Sequence, residues 1–217
     1  MYYLDPHIHM VSRVTDDYET LAKMGCVAMS EPAFWAGFDR GSVDGFRDYF
    51  RQLTEFETKR AGWYRIQHYT WLCINAKEAE NVSLSREVIA MIPEFLDKPN
   101  VLGIGEIGLN KNTRNEAIVF VEHLELAVKY DQQILIHTPH LEDKYQGTRM
   151  ILDMLCGDKR IDRSPGSLAG DPRMQRIFDA IPELESSEPG RAERVQLLFS
   201  LDYQPDWRKE FSLAPRN

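Results

Sequence analysis

Short apolar runs and longer amphipathic stretches alternate along the first 160 residues. Tyr2-Tyr3-Leu4 leads into Asp5-Pro6-His7-Ile8-His9, the pattern of a strand that ends in polar groups. Residues 16–24 carry Tyr18, Leu21 and Ala22 on one helical face, with Gly25 as the stop. A second apolar run, 26–29, is broken by Glu31-Pro32. Phe46, Tyr49, Phe50, Leu53 and Phe56 then recur at helical spacing over 43–60. Residues 64–74 are rich in aromatic and β-branched side chains and predict the third strand, followed by a helix over 85–96. Beyond the Pro99-Asn100 break come strand four (101–104), a helix with a clear apolar stripe (116–130), strand five (133–137) and a helix over 147–155.

Five strand–helix units in succession, with connections long enough for crossover helices, predict parallel strands. Their strand starts recur at roughly 30–40 residues, the spacing of a (β/α)8 barrel of the TIM type. A doubly wound sheet would put a glycine-rich phosphate turn after strand one, and none is present. The alternation then stops. The stretch 160–172 is too rich in proline, glycine and charge for the buried sixth strand that is due there. Only 195–201 has the makings of a later strand, and a full barrel takes about 250 residues. The expectation is therefore an incomplete barrel of about five units over 1–160 and an atypical, poorly packed tail over 161–217. Unpaired strand edges in such a chain would favour self-association.

Composition narrows the setting. With 43% hydrophobic and 28% charged residues the chain fits a soluble globular domain and excludes a collagenous, disulfide-stapled or wholly disordered one. No apolar run approaches the roughly 20 residues of a membrane span, and the N-terminus shows no signal-peptide pattern. Cys26, Cys73 and Cys156 are odd in number and far apart, which reads as reduced thiols in the cytoplasm. A net charge of −8 does not favour binding to a nucleic-acid backbone.

The candidate chemistry lies at the strand ends. His7 and His9, one residue apart, would point to the same face of strand one and could share a divalent ion; a surface pair beside a turn is the other reading. Glu106 sits in Gly103-Ile104-Gly105-Glu106-Ile107-Gly108-Leu109, where three glycines allow close backbone approach. His137 closes strand five in His137-Thr138-Pro139-His140 and needs a partner there, for which a metal is one choice. Glu31 ends strand two and points to the same mouth. His68 lies in strand three as a core or pocket histidine. Glu31, His68 and His140 are expected to face a substrate or to support the ligands from behind. His123, mid-helix on the outer ring, receives no function.

Four of the first five strands thus end in a potential ligand. His-x-His on strand one, Gly-Glu-Ile-Gly-Leu after strand four and Leu-Ile-His-Thr on strand five resemble the TatD-related hydrolases of the amidohydrolase superfamily, in a divergent branch. The resemblance covers residues 1 to about 160. It implies that His7 and His9 hold one divalent ion (Zn, Mn or Mg), that Glu106 bridges two, and that His137 ligates the second. It further implies a histidine from strand six and an aspartate from strand eight that takes the proton of the attacking water. No histidine follows His140, and Asp202, after an apolar run, is the candidate for that aspartate. Two readings follow: a hydrolase acting on a phosphoester or another small ester or amide, or a truncated, vestigial metal-binding barrel without turnover. A different metal barrel, such as a sugar isomerase or a repair endonuclease, fits less well, because those draw several carboxylates from late strands.

Overall fold

The computed structural model describes residues 2–139 and 144–158. Its elements run β1 (Tyr3–Asp5), α1 (Thr15–Lys23), β2 (Cys26–Pro32), α2 (Val43–Arg51), α3 (Thr58–Gly62), β3 (Gln67–Leu72), α4 (Val82–Met91), β4 (Val101–Gly108), α5 (Arg114–Lys129), β5 (Gln133–His137) and α6 (Lys144–Gly157). The five strands form one sheet in sequential order, with every neighbouring pair parallel. Each strand must therefore be returned to the same end by a crossover, and the helices supply it. This is an α/β fold of the incomplete TIM-barrel type. The tail over 161–217 and the strand expected at 195–201 lie outside the described residues.

The apolar stripes are what lay the helices on the sheet. Phe46, Phe50 and Leu53 from the second crossover, Val88 and Ile92 around α4, and Val119, Phe120 and Leu124 from α5 join Leu72, Ile104 and Ile107 in one core. A smaller cluster of Met10, Tyr18, Met29, Ala61 and Ile66 sits under α1 and α3. Strand β4 is buried along its whole length, as a central parallel strand covered on both faces must be. Among the described residues no helix is long and apolar enough to cross a membrane.

Several boundaries differ from the sequence reading, each for a physical reason. β2 runs on to Pro32, because Glu31 and Pro32 pair in register with Thr70 and Trp71 of β3. β4 runs on to Gly108, so Glu106 lies within the strand. The helix expected over 43–60 contains a π-helical turn, Gln52–Glu57, between α2 and α3. Leu53, Thr54 and Glu57 of this wider turn are all buried.

α5 starts two residues earlier than expected and is closed by a capping box. The Thr113 hydroxyl accepts from the Glu116 N–H at 3.1 Å, and the Glu116 carboxylate accepts from the Thr113 N–H at 3.3 Å. Glu116 also accepts from the backbone of Asn110 at 2.9 Å and of Lys111, so it fixes the whole turn that leaves β4.

His123 belongs to the core. Its Nδ1 donates to the Val119 carbonyl at 2.8 Å, and its Nε2 accepts from the Ile74 N–H at 3.2 Å, pinning the end of β3 to α5. That Nε2 lone pair requires a neutral ring. Burial pushes the His123 pKa down to about 4, against the smaller opposing effect of the Val119 hydrogen bond. Because the folded value lies below the unfolded one, the stability carried by the neutral ring is complete above about pH 6.5 and lost as pH falls toward 4. Between pH 7 and 5 this group should remove about 2 kcal/mol of unfolding free energy. Urea denaturation of the wild type and His123→Gln at both pH values measures it: the variant should lose about that much less over the same interval, and equal losses would refute the assignment.

Candidate metal centre

Strand β1 ends at Asp5, so His7 and His9 follow the strand rather than sit in it. Strand alternation is therefore not what aligns them; hydrogen bonds to the segment are. The His7 N–H donates to Asp5 Oδ1 at 3.1 Å, the Ile8 N–H to the Ser30 carbonyl at 3.0 Å, and the Val11 N–H to Glu31 Oε1 at 2.7 Å. The outcome matches the expectation of a shared face: the two imidazole Nε2 atoms lie 3.3 Å apart.

Glu106 reaches the same point through an irregularity in β4. Gly105 pairs with Leu135 and Ile107 with Ile136, leaving Glu106 without a register partner on β5. Such a bulge re-aims one side chain out of the regular alternation. Its carboxylate lies 3.9 Å from His7 Nε2 and 4.0 Å from His9 Nε2. The three donor atoms fall within 4.8 Å of one another.

Close packing of β4 on β5 brings in the fourth residue. A Cβ on Gly105 would stand 2.6 Å from the Leu135 Cβ, and one on Gly108 would overlap the His137 carbonyl. The glycines are what let the two backbones approach, and His137 Nδ1 then lies 3.0 Å from Glu106 Oε1. Burial works against the Glu106 carboxylate, but the hydrogen bond with His137 and the neighbouring imidazoles outweigh it and hold its pKa below the ordinary carboxylate range. Burial pushes the His9 imidazole below its ordinary pKa, further than Glu106 pulls it up. A neutral imidazole and an ionised carboxylate are the forms that ligate metal.

Two imidazoles and one carboxylate form a donor set that suits a divalent transition metal. Ligand nitrogens about 2.0–2.1 Å from a tetrahedral ion stand about 3.3 Å apart, the separation seen between His7 and His9. The residues fit the ion. His7 and His9 line a pocket of about 790 Å3 together with Asp5, Ser12, Arg13 and Phe34.

Glu31 and His68 lie behind this cluster rather than in it. Both side chains are fully buried, with His68 Nε2 at 2.8 Å from Glu31 Oε2. His140 and Asp202 lie outside the described residues.

Two supports were missed in the sequence. Phe34 stacks on His9, with ring centroids 4.0 Å apart and planes 22° from parallel. Its backbone N–H donates to the Tyr49 hydroxyl at 3.0 Å, and its carbonyl accepts from the Arg40 guanidinium, which lies over the Tyr49 ring and pairs with buried Glu78 at 2.7 Å. The second support is Glu57, fully buried, bonded to the Tyr18 hydroxyl and Arg60 at 2.8 Å each. Arg60 in turn donates to the carbonyls of Met10 at 2.6 Å and Arg13 at 3.2 Å, just past the histidines. The available signal was a Glu and an Arg three apart on the helix face turned to Tyr18; nothing in the spacing of Arg40 and Glu78 signals their pairing.

No family model matches the chain. Over 141 residues it is 28% identical to an uncharacterised metal-dependent hydrolase of Methanocaldococcus jannaschii, a match that takes in 65% of this chain and 55% of that protein. The crystal structure of the TatD-like protein from Archaeoglobus fulgidus superposes with a TM-score of 0.61 and 26% identity, covering 71% of this chain and 63% of that one. The chain thus spans less than two thirds of the length of the relatives it matches. Fold and motif together define an α/β barrel-type chain with its polar cluster at the C-terminal ends of parallel strands. In sequence and fold it is similar to a metal-dependent hydrolase and to a TatD-like protein.

The β4–β5 packing is open to a direct check. Gly105→Ala should lower the unfolding free energy by about 1–3 kcal/mol, the usual cost of an overpacked core, read from chemical denaturation midpoints. A variant as stable as the parent would show that the two strands can separate freely and that the close approach is incidental.

Proposed function

We propose that His7, His9 and Glu106 hold one divalent metal ion and that the chain serves metal-dependent hydrolysis of the TatD-like type. The observation that carries this reading is the convergence of two imidazole nitrogens and a carboxylate at 3.3, 3.9 and 4.0 Å. In a protein without an ion the two nitrogens could share at most one proton; around an ion both lone pairs are used. A bound ion would supply an acidified water and a Lewis acid toward a phosphoryl or carbonyl oxygen.

The protein's own contribution is orientation and charge. His7 and His9 would each present an imidazole nitrogen to the ion, and Glu106 brings the negative charge that offsets the cation. His137, implied as the ligand of a second ion, lies against Glu106 Oε1, where it fixes the direction of the carboxylate. Ordered partners of this kind usually raise metal affinity 10–100-fold. Two nitrogens with one oxygen favour Zn or Mn over Mg. The substrate class we propose is a phosphoester, or another small ester or amide, entering the pocket beside Phe34 and Arg13.

A second reading, metal binding without turnover, is favoured by one observation. Among the described residues, Glu106 is the sole carboxylate in the three-donor cluster, and it is already committed to that cluster. Turnover would need a proton acceptor from elsewhere, and the hydrolase reading assigns it to Asp202, proposed from sequence alone.

Zinc titration against a competing chelator, run beside hydrolysis of bis(p-nitrophenyl) phosphate, separates these readings. The wild type should take up about one equivalent of zinc, and His9→Ala or Glu106→Gln should weaken uptake by about two orders of magnitude. Hydrolysis by the loaded wild type that is lost in Asp202→Asn, with zinc uptake unchanged, supports the hydrolase. Zinc uptake without hydrolysis supports the second reading. A folded wild type that takes up no zinc refutes both.

A further inference from the structure

The histidine segment has an unusual mooring. Between Asp5, where β1 ends, and Thr15, where α1 begins, it belongs to neither a strand nor a helix. One of the bonds that hold it comes from a carboxylate in the floor of the barrel. Glu31 Oε1 accepts from the Val11 N–H at 2.7 Å, two residues beyond His9. The other oxygen, Oε2, is bonded to His68 Nε2 at 2.8 Å. His68 Nδ1 lies 3.5 Å from the Thr58 hydroxyl, which accepts from the Asn100 amide at 2.6 Å.

This chain of bonds joins the histidine segment, β2, β3, α3 and the residue before β4. Glu31 and His68 have no exposed side-chain surface at all. A buried carboxylate is expensive to keep, and replacing such a group by packed apolar atoms often stabilises a fold. Stability alone therefore does not account for Glu31. What its oxygen does is set the height of a backbone N–H next to a candidate ligand.

We propose that Glu31 is a positioning residue for the metal site: clamped by His68, it fixes the Val11 N–H and thereby holds the His9 imidazole toward Glu106. The inference rests on the proposed binding of metal by His7, His9 and Glu106. It assigns Glu31 no contact with the ion or with substrate. It separates the role of Glu31 from that of Phe34, which packs on the face of the His9 ring, and from that of Arg60, which holds the carbonyls of Met10 and Arg13.

The local backbone offers a clean way to test it. The Arg13 N–H donates to the Met10 carbonyl at 2.9 Å, which makes Met10 to Arg13 a four-residue turn with Val11 in its second place. Proline is favoured in that place. Val11→Pro therefore deletes the donor that Glu31 accepts from, while leaving the Glu31–His68 pair in place. Because the Val11 side chain packs on the core, Val11→Ala, which keeps the N–H, reads the packing loss separately and should bind zinc as the wild type does. Glu31→Ala removes the acceptor, and Glu31→Gln keeps an oxygen that can still accept.

Zinc affinity of the folded proteins is measured against a competing chelator, with Ile89→Val as a control that loosens the core far from the site. Val11→Pro and Glu31→Ala should each bind zinc about 10–100-fold more weakly than the wild type, as loss of an outer support does elsewhere. Glu31→Gln should recover most of the loss, and Ile89→Val should bind as the wild type does. The cobalt-substituted Val11→Pro protein should also show a visible absorption band altered from that of the wild type, a change that loss of stability alone would not produce. The inference is overturned if folded Val11→Pro binds zinc within twofold of the wild type, or if Ile89→Val weakens binding equally. Should either test variant fail to fold, the comparison of the remaining one with Glu31→Gln decides by the same criterion. A wild type that binds no zinc overturns the metal site itself, and the role of Glu31 with it.

Discussion

Everything at the candidate site depends on how closely β4 lies against β5. Parallel strands in a sheet have a fixed hydrogen-bonding distance, but their Cβ atoms decide whether the pairing can tolerate an irregularity. Here the positions that would collide with Leu135 and His137 are glycines. The strand can therefore carry a bulge at Glu106 without moving away from its neighbour. The bulge turns the carboxylate to the histidines of the β1–α1 connection, and the close approach sets His137 beside it. A side chain on β4 at either glycine would act on both relations at once.

Around that contact the protein places its buried charge in pairs and chains. Glu57 meets Arg60 and Tyr18, Glu78 meets Arg40, and Glu31 meets His68 and a backbone N–H. Each carboxylate is almost wholly withdrawn from water, so each would be destabilising without its partners. The partners share a pattern: they end on the two connections, β1–α1 and β2–α2, that carry His7, His9 and Phe34. Apolar packing holds the helices to the sheet, while polar bonds, which have direction, hold the loops.

The order of strands and helices was legible because the apolar period switches cleanly between 2 and 3.6 along the chain. Glu106 and His137 were legible for a related reason, since each stands at the polar end of an apolar run with telltale glycines or a proline nearby. His7 and His9 were found on a premise that the structure replaces: a segment tied by Asp5, Ser30 and Glu31 aligns them, not strand alternation. The π-helical turn left no mark in the spacing, because Leu53, Thr54 and Glu57 stand at i, i+1 and i+4, positions that share a face in a regular helix as well. Long-range pairs such as Arg40 with Glu78 join residues 38 apart, and a single sequence does not say which distant charges meet. His123 shows the converse limit. A histidine on an apolar stripe gave no sign that its two nitrogens would lock a strand to a helix.

Phe34 covers one face of the His9 ring, and the edge of that ring is turned to Glu106. The pocket beside it is walled by the β1–α1 connection on one side and bounded by Phe34 on the other. The donors His7 and His9 share the β1–α1 connection with Ser12 and Arg13, which shape the space, whereas Glu106 and His137 belong to the sheet. Lengthening or exchanging the 12–14 stretch would redraw the entrance while the β4–β5 pair stayed where it is. For an evolving lineage, or for an engineer, the mouth of this protein is a part that can be changed without rebuilding its floor.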